Sequence, residues 1–546
     1  MNNLLNKIRI NLTAVLLSYD LNDDVQFIIS KFPEVDLQIN NLVKYKEENF
    51  FDQLLNKFQT ILEETNIFSE IKSSDIGFLN LSFNHSYLSN IIKNSKDELE
   101  TNVKRTLLFD YGGPNIGKPL HVGHIRTLNI GRSLYNSNSF IGNTVKSDTH
   151  LGDWGMPVAQ IITYLEKNKI SPESVTAGDL EIIYPKASKE YWDNVDFKKR
   201  AQEINKLLNN GDKNLYEIWK IIKNISLENL KIELKKLNQN FDYWYGESDV
   251  NNLIAPMIND LVNNKKVIKD EGALISSENV DPKILITKSD GSYLYITTDL
   301  ATVLYRKKYL PYDKAYYIVD SRQSLHFKQL FSSISYFEFS NAEHEHIAYG
   351  TINDAKGNPF KTRDGGTKSL NELFQETKNY IKNINNNIDE TILDQLTNSV
   401  LTFSDLLTNR KTDYKFDLEK FTNINGKTGI YVQYAQVRAK KLLLEIGENK
   451  KDLDSLVLSS IDKDLLSKLY LFGYHLEQCV QLSEPHHLAN YLYEISSLFN
   501  AFYEEEKLNN ITNQEHLASK ILILKLFLTT SQNVMFCLGM EPVERM

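Results

Sequence analysis

The chain has 546 residues, 41% hydrophobic and 24% charged. That describes a globular chain of about three or four domains with enough apolar residue for large cores. The formal net charge of −9 argues against a partner held by net positive charge, such as nucleic acid, although a basic face can coexist with an acidic total. Only Cys479 and Cys537 are present, which leaves no disulfide framework and no cysteine-based zinc site, and points to a cytoplasmic protein.

At the start, Lys7, Arg9 and Asn11 interrupt any signal-like run, and no small-residue cleavage site follows. Leu4, Leu5, Ile8, Leu12, Val15 and Leu16 instead predict an amphipathic helix. No unbroken apolar run reaches the roughly 18 residues that span a bilayer, so no membrane partner is expected. Residues 1–95 read as a small α+β domain. Val35, Leu37 and Ile39 alternate, as do Leu79, Leu81 and Phe83, and both sets predict strands. Phe51, Leu54, Leu55, Phe58, Ile61 and Leu62 give a helix face between them. The polar stretch 94–102 links this domain to the next.

Residues 107–134, LLFDYGGPNIGKPLHVGHIRTLNIGRSL, organise the middle of the chain. Leu107, Leu108 and Phe109 predict a buried strand, and the glycines and prolines after them a loop. Val122, Ile125, Leu128 and Ile130 predict a helix starting near His121. A strand, a Gly-rich loop and a helix N-terminus together make an anion site, since free backbone N–H groups and the positive dipole end face the loop. His121 and His124 are one turn apart and share a face. Gly123 between them leaves room for a flat ring near the backbone. Neither the dinucleotide glycine spacing nor a Walker loop is present. Two surface histidines at a helix start are the plain alternative.

Val145 begins a second strand, and Ile161, Ile162 and Leu165 continue as a helix. Residues 166–285, rich in Lys, Glu and Asn, read as a solvated helical insertion with Trp219, Ile222, Ile225, Leu230 and Leu234 as packing positions. Tyr293, Tyr295 and Thr297 alternate as a strand, Thr298-Asp299-Leu300 opens a helix through Arg306, and Ala315 to Val319 is another strand. Strands alternating with helices across an insertion predict a doubly wound parallel sheet, α/β and Rossmann-like, with ligands beyond the carboxyl ends of its strands. Gly350 to Gly366 is a loop with Lys356, Lys361 and Arg363, either a surface turn or a cationic lid. From Leu370 onward the pattern is helical and predicts an all-α C-terminal bundle. The parts are then 1–95, 96–395 and 396–546.

His121-Val122-Gly123-His124 resembles the His-Ile-Gly-His signature of class I aminoacyl-tRNA synthetases. Together with LGDWG at 151–155, SDGSYLYITTDLATVLYR at 289–306, FKTRDGGT at 360–367, EPHHLANYLYE at 484–494 and the terminal PVERM, it is similar to the arginyl-tRNA synthetase family over nearly the whole chain. The resemblance implies an N-terminal domain on the tRNA elbow, a central catalytic domain and a C-terminal anticodon-binding domain. It implies an arginine–tRNA ligase that forms arginyl-adenylate from L-arginine and ATP with Mg²⁺, transfers arginine to its cognate tRNA, and works as a monomer without zinc or any other protein-held metal. Adenylate formation would wait for tRNA. Other H-x-G-H enzymes and a non-catalytic tRNA-binding relative are the alternatives. The small nucleotidyltransferases lack the insertion and the helical C-terminus, and a non-catalytic relative would have lost a histidine or Asn115.

The resemblance carries roles onto residues. His121 and His124 would donate to the phosphates. Lys118, Lys361 and Arg363 would neutralise the pyrophosphate, and Pro114, Gly117, Gly123 and Thr362 would complete the ATP site. Asn115 and Gln323 would meet the α-amino end of arginine, and Tyr295, Asp299 and Glu247 the guanidinium, with Asp110 orienting the loop or sensing the amino group. A planar five-donor cation calls for paired carboxylates and a flat partner. The sequence departs from the family in lacking a Lys-Met-Ser-Lys-Ser loop, where Lys361-Thr362-Arg363 stands, in Ile430 at a usual proline, and in Arg132 at a usual acid.

Overall fold

The structure is a computed structural model and describes residues 3–32, 34–88, 99–101, 103–278, 280, 283–358, 360, 368–384, 387–446 and 456–546. The chain forms two compact units: 1–103 with 140–142 and 423–546, and 104–139 with 143–422.

In the first unit, strands β1 (Phe27–Ile29), β2 (Leu37–Ile39), β3 (Phe68–Ser73) and β4 (Leu79–Phe83) form an antiparallel sheet in the order β1-β2-β4-β3. The alternation at 37–39 and 79–83 is present. Strand β3 escapes the sequence reading because only Phe68 of its side chains is buried and a register shift at Phe68/Glu70 breaks its period. Helices Asn3–Leu17 and Phe51–Glu64 cover the sheet, burying Leu5, Ile8, Leu12 and Leu16 from one and Leu54, Phe58 and Leu62 from the other. Tyr470 and Leu471 belong to the same core, and Nε2 of His85 lies 2.9 Å from the Ser467 hydroxyl. The 94–102 linker lies largely outside the described residues.

The C-terminal helices of this unit are Gly429–Ile446, Ser460–Tyr470, Phe472–Leu482, His486–Glu505 and Gln514–Leu538. Ile430 is buried at the head of the first. The last corrects the expectation on apolar length, being long and apolar enough to cross a membrane by composition. Its charges Lys520 and Lys525 hide that from a search for unbroken runs. In this fold it is a core helix, with 67% of its apolar window buried. Lys520 is fully buried and paired with Asp462 at 2.9 Å and Glu505 at 2.5 Å.

The second unit is built on strands β5 (Thr106–Asp110) and β6 (Thr144–Asp148), joined by the helix His124–Phe140. The insertion read as helical over 166–285 is helical only to Asn263, because its last part folds as an antiparallel set, β7 (Val267–Asp270) and β8 (Ala273–Ser276) with β9 (Leu285–Thr287). Strands β10 (Lys314–Tyr317) and β11 (Glu343–His346) then join the first two in a parallel sheet of order β11-β10-β5-β6. The short β12 (Ile352–Asn353) and β13 (Tyr414–Lys415) pair separately. From β5 the chain crosses to β6 on one side and later to β10 on the other. The strand order therefore reverses between β5 and β10, and their carboxyl ends flank the crevice where such sheets bind ligands. Of the insertion's expected packing positions, Trp219, Ile222, Leu230 and Leu234 are buried, whereas Ile225 is half-buried.

A further difference from the sequence reading lies between β9 and β10. Tyr293, Tyr295 and Thr297 do not form a strand. The strand is β9, a turn at Gly291 with φ +79 follows, and the helix runs Tyr295–Tyr309. Tyr295 is 81% exposed and has no sheet to join, while the buried Thr297 hydroxyl donates to Ile286 O at 2.5 Å. Asp299 consequently sits in the second turn and caps nothing.

Candidate active site

The loop after β5 is shaped by glycines. Gly112 has φ +89, and its N–H donates to the Thr127 hydroxyl, which itself donates to Ile318 O, so the loop is tied to the chain leaving β10. Asn115 bridges Gly152 of the LGDWG segment: Gly152 N donates to Pro114 O at 3.0 Å and Ile116 N to Gly152 O at 3.1 Å. A Cβ on Gly152 would stand 2.0 Å from Asn115 Oδ1, so only glycine lets the Asn115 amide keep its place. Gly117 N donates to the Ser226 hydroxyl, and the Lys118 ammonium sits over the Tyr184 ring at 4.5 Å.

His121 and His124 come together with ring centroids 3.9 Å apart. The helix begins at His124, three residues later than the sequence spacing places it, because His121 to His124 is spent on a tight turn, His124 N to His121 O at 2.8 Å. A Cβ on Gly123 would meet the His121 ring at 2.9 Å, so a side chain here would displace that histidine. Gly123 N donates to His121 Nδ1 at 3.1 Å, and His121 N donates to His124 Nδ1 at 3.0 Å. With its Nδ1 accepting, the neutral His121 ring carries its proton on Nε2, whereas His124 Nδ1 lies between the His121 N–H and, at 3.2 Å, the His121 carbonyl oxygen, so either nitrogen of that ring can hold the proton. Both rings are held neutral. Burial, then Arg322 and Lys118, lower His121, and burial with the neighbouring His121 pushes His124 down to about 3.

Arg322 escapes the sequence reading. It lies in the turn Ser321–Gln323 after β10, paired with Asp320 at 2.8 Å, close enough to His121 to act on its charge. The chain returns here after residue 367: Val122 N donates to Lys368 O and Leu370 N to Leu120 O. Lys361 and Arg363, expected at the pyrophosphate, and Thr362, expected in the ATP site, lie outside the described residues.

Carboxylates gather nearby. Residues 243–246 run parallel beside 148–151 and deliver Glu247 to the head of the helix Glu247–Asn263. Its carboxyl is pushed up to about 7 by burial and by the charges of Asp153 and Asp299. Asp153 is paired with Lys223 at 2.5 Å and accepts from Ser248 N and Oγ, and Asp299 lies 2.6 Å from His326 Nε2. A concentrated cation would restore Glu247 to its ionised form. Tyr295 and Gln323 stand exposed at the heads of two packed helices, Tyr295–Tyr309 and Ser324–Tyr336. Asp110 instead faces Arg306, which is buried at 1% exposure between Asp110 and Asp148, 2.7 Å from each. Arg132 donates to Asn240 O.

Residues 87–418 match the family model described as tRNA synthetases class I (R), catalytic domain, and residues 432–546 the DALR anticodon binding domain. A relative from Francisella tularensis named arginine–tRNA ligase is 34% identical over 517 residues, covering 89% of each chain. One of the same name from Agathobacter rectalis is 33% identical over 540 residues, covering 90% of each. Among solved structures, arginyl-tRNA synthetase from Plasmodium falciparum aligns with TM-score 0.81 at 24% identity over all of both chains. That from Thermus thermophilus aligns with 0.80 at 18%, over 99% of this chain and 100% of its own. With the catalytic model covering well over half its length, this chain belongs to the class I aminoacyl-tRNA synthetases, in the arginyl-tRNA synthetase family.

Proposed function

We propose that the chain attaches L-arginine to its cognate tRNA at the expense of ATP. The observation that carries this reading is the turn that brings the His121 and His124 rings together with Arg322 and Lys118 acting on His121, in a unit where the carboxylates Glu247 and Asp299 also act on each other. The first half suits a triphosphate and the second a guanidinium. The arginine carboxylate attacks the α-phosphorus, pyrophosphate leaves, and a ribose hydroxyl at the tRNA 3′ end then attacks the arginyl carbonyl and releases AMP. Catalysis here is positioning and charge stabilisation. His121 and His124 donate to phosphate oxygens whose charge grows in the transition state, and Lys118, Arg322, Lys361 and Arg363 offset the charge of pyrophosphate. Mg²⁺ would arrive on the ATP phosphates. The groups beside His121 are cations, so the phosphates and water, rather than a carboxylate cage, supply its ligands.

Asn115 and Gln323 take the α-amino end, Tyr295 the face of the guanidinium, and Glu247 and Asp299 its donors. Asp110 serves the site indirectly, through Arg306. The four N-terminal strands and their helices contact the tRNA elbow and the C-terminal helices read the anticodon. The enzyme acts in the cytoplasm as a monomer, which light scattering checks. The deciding experiment charges pooled tRNA with each of the twenty amino acids and follows pyrophosphate exchange with and without tRNA. Arginine alone should be charged, and exchange should need tRNA. Charging of another amino acid, or none, overturns the reading.

A further inference from the structure

Asp299 has a short side-chain partner on a different helix. Its Oδ2 lies 2.6 Å from Nε2 of His326, the third residue of the helix Ser324–Tyr336. Both side chains are partly exposed, 32% and 25%, so packing alone does not lock either rotamer. A carboxylate that receives a planar guanidinium must hold its plane, because two parallel N–H···O bonds form only in one orientation. Asp299 sits in the second turn of its helix, with no capping bond to orient it. The bond from His326 supplies that orientation through one lone pair of Oδ2, leaving Oδ1 and the second lone pair of Oδ2 for the two parallel bonds. His326 also follows Gln323 by three residues, so this bond ties the segment facing the α-amino end to the residue facing the side chain.

The surroundings agree. Asp299 raises the imidazole above its ordinary range, so the bond is charge-assisted. His346, stacked on Phe327 with centroids 4.5 Å apart, stays low through burial, and its Nε2 is engaged with Val319 O at 2.9 Å. It does not compete for Asp299.

We propose that His326 is a positioning residue for amino-acid selection, its Nε2–H holding the Asp299 carboxylate in the plane that a guanidinium meets. The inference rests on Asp299 being a guanidinium partner. Gln at this position carries an amide N–H close to where Nε2–H stands, Asn is too short to reach, and Leu has no donor.

The test is steady-state tRNA charging by the full chain at varied arginine and at varied ATP for H326L, H326N, H326Q and D299N. H326L and H326N should raise the arginine KM by about 10-fold or more, with ATP KM within about twofold of the parent, and H326Q should recover most of the loss. H326N keeps a polar side chain and serves if H326L folds poorly. An arginine KM unchanged in H326N, or arginine and ATP KM rising together without recovery in H326Q, overturns the proposal. D299N separates the two levels. If it raises the arginine KM while H326N and H326L do not, the inference about His326 alone falls. If D299N leaves the arginine KM unchanged, the assignment of Asp299 falls with it.

Discussion

Replacing Arg306 by methionine tests whether the sheet beneath the site is held by one buried cation. Asp110 and Asp148 end adjacent parallel strands and are directly paired in register, so their carboxylates lie side by side. The Arg306 guanidinium reaches both at 2.7 Å, and its Nε makes a further contact with Asp148 at 3.3 Å. Asp148 is fully buried and Asp110 is partly buried. Methionine fills much of the volume and removes the charge. Breaking a buried pair by deleting one partner costs about 3–5 kcal/mol, because the remaining charge is stranded. At roughly 1.5 °C per kcal/mol for a unit of about 300 residues, Arg306→Met should lower the melting temperature by about 5 °C. The sign with pH is also set. Two stranded neighbouring carboxylates relieve themselves by taking up a proton, so the deficit should shrink as pH falls from about 7.5 to about 5.5. Calorimetry or urea unfolding at both pH values measures this. A deficit under about 1 kcal/mol, or one that grows at the lower pH, refutes the argument.

His121→Ala or His124→Ala should slow adenylate formation by roughly 10²–10³, the usual loss of a charge-stabilising donor, with little change in melting temperature; a rapid-quench rate within a few-fold of the parent would sink the role. Gly152→Ala drives a methyl to 2.0 Å from Asn115 Oδ1, and displacing that amide should raise the arginine KM by about 10-fold or more through a lost hydrogen bond to a charged group. Asp299→Asn should raise the arginine KM by roughly 30-fold. Since Asp299 caps no helix, its melting temperature should stay near that of the parent. Glu247 is protonated up to about pH 7 in the free site, and a bound guanidinium favours its ionised form. Arginine binding should therefore release a proton below that pH, and affinity should climb as pH rises toward 7 and level off above. Glu247→Gln should flatten the climb, which isothermal titration in two buffers of different ionisation heat detects.

The local features of this protein are legible in its sequence because their causes are local. Leu107 to Phe109 is a strand because it is a short apolar run between breakers, and the histidine turn follows from glycines and a periodic helix face within 20 residues or so. The family pattern identifies the same stretch. Other features depend on the path of the chain. The alternation Tyr293, Tyr295, Thr297 is equally compatible with a strand and with the first turn of a helix; Tyr293 makes one isolated antiparallel bridge to Thr287, and the Thr297–Ile286 bond holds the helix that starts at Tyr295. The helix Gln514–Leu538 is apolar enough for a bilayer, and only the bundle around it, with acids placed to meet Lys520, makes it a core. Arg306 reads as one more surface cation in a helix ending in Arg306, Lys307 and Lys308. It is a buried counter-ion because two strands separated from it by more than 150 residues of chain end beside it. His326 gave no signal of its own, for hydrogen bonding to a carboxylate 27 residues away leaves no periodicity, and the pairing of helices that brings them within 2.6 Å exists only once the sheet has closed.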